Sequence, residues 1–414
     1  MSTDPAALIA HPIPSAWVST GGTGAQNYDE FAADAEITAI IEANPASALS
    51  VEMPHRTSEA VAAGLGFADA LPQAAAQLAT LKEDGRFRAV ADVVAPYRID
   101  TPDGPAYGVF CLVDTDQIST TADEPGLVIR NEDVFAEKVA ERTALTRHLD
   151  HLLSPVLLLQ SGLGAELHGY LAQLIDRLGE PAVADVDQHG QTHQIWLLGP
   201  SDDREALLAL AGGGELIVAD GNHRSLSAQV AGLTRFLAVV TTPQSVTIQP
   251  YHRLLRALSQ PIEDVLGALT KAGATVVPML GDPRLPDVAG TVTLYADGQT
   301  YAVTLPDAAG SVVDRLDHAV LERVLFHEIL GLDPGDKAIT YVGGDYPPSW
   351  LTDEVDAGRA AAAVLIAPVT VDDFVAVNLE RLKMPRKSTW FTPKARTGLL
   401  LVDLADEPRR EENA

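Results

Sequence analysis

Cysteine is almost absent. The 414 residues include one, Cys111, so the chain can form no internal disulfide and no zinc site built from cysteines. Positive charge is scarce as well: 29 Lys and Arg stand against 57 Asp and Glu, a formal net charge of −28. So large a carboxylate excess repels phosphate backbones and anionic lipid, which argues against nucleic-acid and membrane partners. A local basic pocket for a small anion is still compatible with it. Long apolar runs are missing too. Residues 360–367 are stopped by Pro368, far short of the ~20 residues a membrane-spanning helix needs. Met1-Ser2-Thr3-Asp4-Pro5 has neither the basic start nor the apolar core of a secretory signal. The expectation is a soluble, cytoplasmic protein acting on a small molecule.

What is present is core material. Hydrophobic residues make up 46% of the chain and charged ones 21%, and at roughly 150 residues per domain the length predicts two or three domains. Helix and strand signals alternate throughout, so the expected fold class is mixed α/β. Asp29 is positioned to cap a helix over 29–42 that Asn44-Pro45 stops, and 48–52 reads as a short strand. Ser58 opens an Ala-rich helical stretch that Pro72 interrupts and Gly85 ends. Extended runs at 87–99 and 106–114 flank Thr101-Pro102-Asp103-Gly104, a hairpin signal. A strand at 126–130 precedes an amphipathic helix over 134–153, and the apolar run 155–159 reads as a buried strand. Beyond it, 215–219 reads as a strand and 225–231 as a helix. Cys111, in an apolar run, is expected to be buried. Residues 407–414 are polar and expected to fray. No repeat, low-complexity tract or Gly/Ser linker occurs.

The stretch with most chemistry is Asp220-Gly221-Asn222-His223-Arg224, between an apolar strand and a helix. A helix start offers unpaired amides and a positive dipole end, which together favour an anion. Gly221 permits close backbone approach, Arg224 can fork onto phosphate oxygens, His223 can add a donor, and Asp220 can hold Mg²⁺. The bland alternative is a helix-capping turn with a solvated His-Arg pair.

This pentapeptide resembles the Asp-Gly-His-His-Arg signature of the bacterial domain-of-unknown-function 1015 family, which is related to free-serine kinases and more remotely to the ParB/sulfiredoxin superfamily. Further segments agree in the right order along most of the chain. Gly126-Leu127-Val128-Ile129-Arg130-Asn131-Glu132 is similar to the family's Gly-Val-Ile-x-x-His-Glu. The run from Glu141-Arg142 to Ser154-Pro155 resembles its Arg-containing helix ending in Ser-Pro, and Pro250-Tyr251-His252-Arg253-Leu254 its Pro-Thr-His-Arg-Leu. Met384-Pro385-Arg386-Lys387-Ser388-Thr389-Trp390-Phe391-Thr392-Pro393-Lys394 resembles its basic C-terminal motif. There are two departures: histidines of the family pattern are replaced by Asn131 and Asn222. The family's Ala-Pro-Pro-Tyr-Asp-Val segment is also replaced, by residues 21–29.

The resemblance implies a central ParB/sulfiredoxin-like domain at 115–258 that binds nucleotide or phosphate, between an N-terminal α/β segment (1–114) and a C-terminal α+β segment (259–414). It implies a kinase that uses a nucleotide (ATP or ADP) and Mg²⁺ to phosphorylate the hydroxyl of serine or a related hydroxylated amino acid. Glu132 is then the general base, with Asp220 as the second catalytic candidate and candidate Mg²⁺ ligand. Gly221, Asn222, His223 and Arg224 cradle the phosphates, and Arg130, Arg142, Lys387, Ser388 and Lys394 are candidate substrate or phosphate contacts. For Glu132 the bland alternative is a helix-start carboxylate; for Arg142 it is surface pairing with Glu141 or Asp150; for Lys387, Ser388 and Lys394 it is a solvated loop. Two other functions stay open: a non-catalytic nucleotide-binding regulatory protein, and an interaction protein whose site has decayed. His189 and His193 are expected in a surface loop rather than on a metal. His327-Glu328 has no second histidine four residues after His327, so it is no metalloprotease motif.

Overall fold

The computed structural model describes residues 8–31, 33–119, 126–286, 288–405 and 407. The expected fraying of the polar end therefore falls, apart from Glu407, outside the described residues. The fold is mixed α/β, in two compact units: Met1–Val246 with Pro393–Ala414, and Thr247–Thr392.

A large mixed sheet organises the first unit. From one edge to the other run Val183–Val186, Thr192–Ile195, Ala95–Thr101, Gly104–Asp114, Arg235–Thr241, Val156–Gln160, Leu216–Asp220, Val128–Arg130 and Ile118–Ser119, while Ala10–His11 pairs with Gly104–Asp114. All five residues of Val156–Gln160 are buried, as a continuous apolar strand in mid-sheet should be. Each such Leu or Val contributes roughly 1.5–3 kcal/mol by leaving water. Leu216–Asp220 runs parallel to Val128–Arg130, with Val218 opposite Arg130, and antiparallel to Val156–Gln160, with Asp220 opposite Leu157. Those registers bring three short segments to one sheet edge: the residues after Arg130, the residues after Asp220 and the residues before Val156. A smaller sheet, ordered Phe87–Val93, Ile13–Ser19, Leu400–Asp403 and His151–Leu152, draws the C-terminal segment into this unit.

The second unit is an antiparallel sheet, Thr275–Met279, Gln299–Thr304, Thr291–Ala296, Ala362–Ile366, Tyr251–Leu255 and Ile339–Gly343 in that order. Its core includes Val265, Leu269, Leu294, Leu325 and Val364. One of its helices continues from Asp317–Leu321 into a π-helical stretch, Glu322–Ile329.

Several local expectations are corrected. Residues 48–52 are not a strand: Leu49–Glu52 is a helical turn closed by Glu52 N–H to Ala48 O at 2.9 Å and Met53 N–H to Leu49 O at 2.8 Å. The first long helix is Asp34–Ala43, and Asp29 lies in a separate 3-10 turn, Tyr28–Glu30. The Ala-rich stretch breaks at Gly64, which is left-handed (φ 65°), and Pro72 sits in the first turn of the next helix, Leu71–Glu83, where its missing N–H costs nothing. The 87–99 run is two strands, in two different sheets. The hairpin is present, with Thr101 opposite Gly104, and Cys111 is fully buried, its thiol pushed up to about 12 by desolvation.

Candidate functional site

Asp220 ends its strand and Gly221 turns the chain, with φ 98°, into the helix Asn222–Val230. A side chain at 221 would be strained by that φ, and its Cβ would meet Arg224 Nε at 3.0 Å. The helix starts at Asn222, three residues earlier than its apolar pattern suggests. Ser225 N–H closes onto Gly221 O at 2.9 Å, and the amides before it have no carbonyl of their own helix within reach.

Arg224 is buried and held by protein acceptors. Its guanidinium donates to Asp220 Oδ2 at 2.6 Å, Pro155 O at 2.6 Å and Asn27 Oδ1 at 3.2 Å. Burial disfavours its charge, but Asp220, Asp29, Tyr28 and Glu52 together hold its pKa above the usual arginine range. Asn27 also donates to Asp220 Oδ2 at 3.2 Å and to Ala395 O at 3.5 Å. The Lys394 ammonium lies 3.8 Å from Asp220 Oδ1. Asp220 thus stands between two cations, with Oδ2 already accepting two hydrogen bonds. That donor set does not fit the expected Mg²⁺ role: a dication would have to displace or oppose two fixed positive charges. Among the described residues no group of three or more His, Cys, Asp or Glu could hold a metal ion.

The segment after Val128–Arg130 meets the helix start. Asn222 Nδ2 donates to Asn131 Oδ1, so the two asparagines that depart from the family pattern are partners of each other. Phe135 N–H donates to His223 Nε2 at 3.0 Å, and the two rings stack with centroids 6.0 Å apart. Glu132, half-buried, lies between these two links, at the same edge as the turn. Arg130 is buried at its strand end, its pKa pushed down by desolvation with Asp133 opposing.

Arg142 does not pair on the surface. It is buried, donating to Glu52 O at 3.0 Å and lying 4.3 Å over the Tyr28 ring. Glu52, which the sequence reading missed, is buried as well. Ser154 Oγ donates to its Oε1 at 2.5 Å, and desolvation pushes its pKa up against the pull of Arg142. Asn27, Tyr28 and Asp29 were missed as site residues too, and their proximity to a buried arginine leaves no local signal. Lys387 and Ser388 belong to the second unit, where Lys387 O accepts from Arg253 and Ser388 is buried.

His193 is not in a loop. It is buried on Thr192–Ile195, its Nδ1 2.5 Å from Tyr97 OH and its Nε2 3.1 Å from Asp187 Oδ2, which Arg396 also binds. Burial lowers its pKa, with Asp187 opposing. His189 is exposed in the adjoining turn.

A family model described as "Protein of unknown function (DUF1015)" matches residues 23–319, more than half of the chain. The chain belongs to the DUF1015 family. The match includes the whole Asp220–Arg224 turn and Glu132, and ends inside the second unit of this DUF1015 protein. No curated protein matches it. Among solved structures it is similar to a free serine kinase in complex with AMP (12% identity, 71% of this chain and 92% of that one, TM-score 0.39). It is also similar to a conserved hypothetical protein from Pyrococcus furiosus (12%, 69% and 93%, TM-score 0.38). A third is SbnI with C-terminal truncation from Staphylococcus aureus (14%, 72% and 88%, TM-score 0.38).

Proposed function

We propose that this DUF1015 protein is a nucleotide-dependent phosphotransferase with a small alcohol as acceptor, serine or a related hydroxylated amino acid. One observation carries the reading: the parallel register of Val128–Arg130 and Leu216–Asp220 puts Glu132 and the Asp220–Asn222 turn at one sheet edge. Phosphates of ATP or ADP would lie against the amides that open Asn222–Val230, with Lys394 adding positive charge. Arg224, occupied by Asp220, Pro155 and Asn27, fixes the turn. The acceptor oxygen attacks phosphorus, its proton passes to the Glu132 carboxylate, and the shortened nucleotide leaves. No step is assigned to a metal on Asp220. A ParB/sulfiredoxin-like domain at 115–258 remains part of this proposal.

The test is phosphate transfer from ATP and from ADP to serine and other hydroxy amino acids, with nucleotide binding followed by thermal shift. Glu132→Gln should slow transfer by roughly 10²–10⁴-fold while leaving nucleotide affinity nearly unchanged. Binding without transfer by the wild type would make the protein a nucleotide-gated binder. Equal transfer by wild type and Glu132→Gln would move the base elsewhere.

A further inference from the structure

The second unit contains a carboxylate with no partner of the kind its burial calls for. Glu322 opens the π-helical stretch Glu322–Ile329, and its side chain is 17% exposed. Among the described residues it makes no hydrogen bond, and its Oε1 is fully buried without one. Its nearest cation, Arg253 Nη2, is 3.9 Å away. That guanidinium already donates to the carbonyls of Tyr251, His252, Lys387 and Arg386. Desolvation accordingly raises the Glu322 pKa, against the pull of Arg253 and Arg386. Mostly buried carboxylates are normally hydrogen-bonded, so one that is not needs an explanation. π-helical turns inside helices are frequent at functional sites.

Glu322 lines a groove of about 360 Å³, within the range of small-molecule sites. The same groove is lined by Arg323, His327, Lys383, Met384 and Pro385. His327 is taken up by Asp333 at 3.2 Å. Arg323 is exposed, and with Lys383 it gives the groove a basic side on a chain of net charge −28. The two halves of this lining select the ligand. A simple anion would suit Arg323 but meet the Glu322 carboxylate. A simple cation would suit Glu322 but meet Arg323 and Lys383. A molecule carrying both charges a few ångströms apart satisfies both.

We propose that this groove binds a free α-amino acid as its zwitterion, the ammonium on Glu322 and the carboxylate on Arg323 and Lys383, with the side chain against Met384 and Pro385. The groove is built from second-unit residues, and mostly from residues beyond 319, where the family match ends. The proposal does not depend on the phosphotransfer reading, because binding alone tests it.

The experiment is calorimetric titration of the full chain with each of the twenty L-amino acids, then with the N-acetyl derivative and the decarboxylated amine of any binder. At least one free amino acid should bind, and masking either charge should weaken it tenfold or more. Arg323→Ala, an exposed position that should fold, and Glu322→Gln should each weaken it by a similar factor. The proposal is overturned if none of the twenty binds, if the N-acetyl derivative binds as well as the free acid, or if Arg323→Ala binds like wild type. That last comparison decides the matter even if Glu322→Gln fails to fold.

Discussion

Two buried arginines, one in each unit, stand in short motifs that are conspicuous in the sequence, and they are neutralised in opposite ways. Arg224 has a carboxylate at 2.6 Å and gathers a strand end, a residue before another strand and the N-terminal Asn27 around itself. Arg253 instead has the Glu322 carboxylate at 3.9 Å, beyond hydrogen-bond distance. It is held by four backbone carbonyls and the face of Tyr341, 4.5 Å away. The first is a charge pair that locks a turn of unusual backbone shape. The second is a staple of dipoles that closes the 386–387 loop onto a strand. A buried arginine in a motif is therefore not by itself a phosphate contact, because the same side chain can be used up holding the backbone.

The largest effects should come from removing one side of each arrangement. Asp220→Asn strands the Arg224 charge, and Arg253→Met strands four carbonyls, so each should cost about 3–5 kcal/mol in denaturant titrations. A loss under about 1 kcal/mol at either position would break the comparison.

Acid should next separate the two surroundings. Burial, then Arg253, depresses the His252 pKa to about 4, and His318 is held well below its ordinary value by burial. A folded state that refuses protons the unfolded chain accepts near pH 6.5 loses stability as pH falls from about 6.5 to about 4. For His252 the loss is about 3 kcal/mol. Stability measured at pH 7 and pH 4.5 should show this fall, and His252→Gln should show less of it.

Double-mutant cycles sharpen the contrast at a smaller scale. Asp220→Asn with Arg224→Met should cost less than the sum of the single changes, by about 1–3 kcal/mol, because no charge is left alone. Glu322→Gln with Arg253→Met should show a smaller coupling, since no hydrogen bond joins that pair. Equal couplings would mean that the 3.9 Å approach counts as a true ion pair. The smallest expected effect is Lys394→Met, about 1 kcal/mol in stability, because its 3.8 Å contact is longer than a hydrogen bond and Arg224 still pairs with Asp220. In the proposed function it nonetheless weakens nucleotide binding roughly tenfold.

Most of what these experiments touch was legible locally. The strand–Asp-Gly–helix pattern announces the turn, and continuous apolar runs announce Val156–Gln160 and Leu216–Asp220. Residues 48–52 could not be read, because five mostly apolar residues fit a strand or a helical turn equally well and only tertiary contacts decide. Arg142 and His193 looked like surface residues because their partners, Glu52 and Tyr97, are about 90 or more positions away in the chain. Asn27 was invisible for the same reason. Its two acceptor contacts and its bond from Arg224 all come from residues more than 190 positions on.

The path of the chain also bears on how the protein is made. The first unit is interrupted after Val246 and resumes only at Pro393. The returning piece supplies Lys394, Arg396 and the strand Leu400–Asp403, which sits between Ile13–Ser19 and His151–Leu152. At ~5–20 residues per second a ribosome needs roughly seven to thirty seconds to produce the intervening unit. During that interval the strand Ile13–Ser19 has an unpaired edge, and Asp220 lacks its ammonium neighbour. The nascent first unit then carries exposed strand edges, which favour aggregation, and its candidate site gains Lys394 only after the whole second unit has been made.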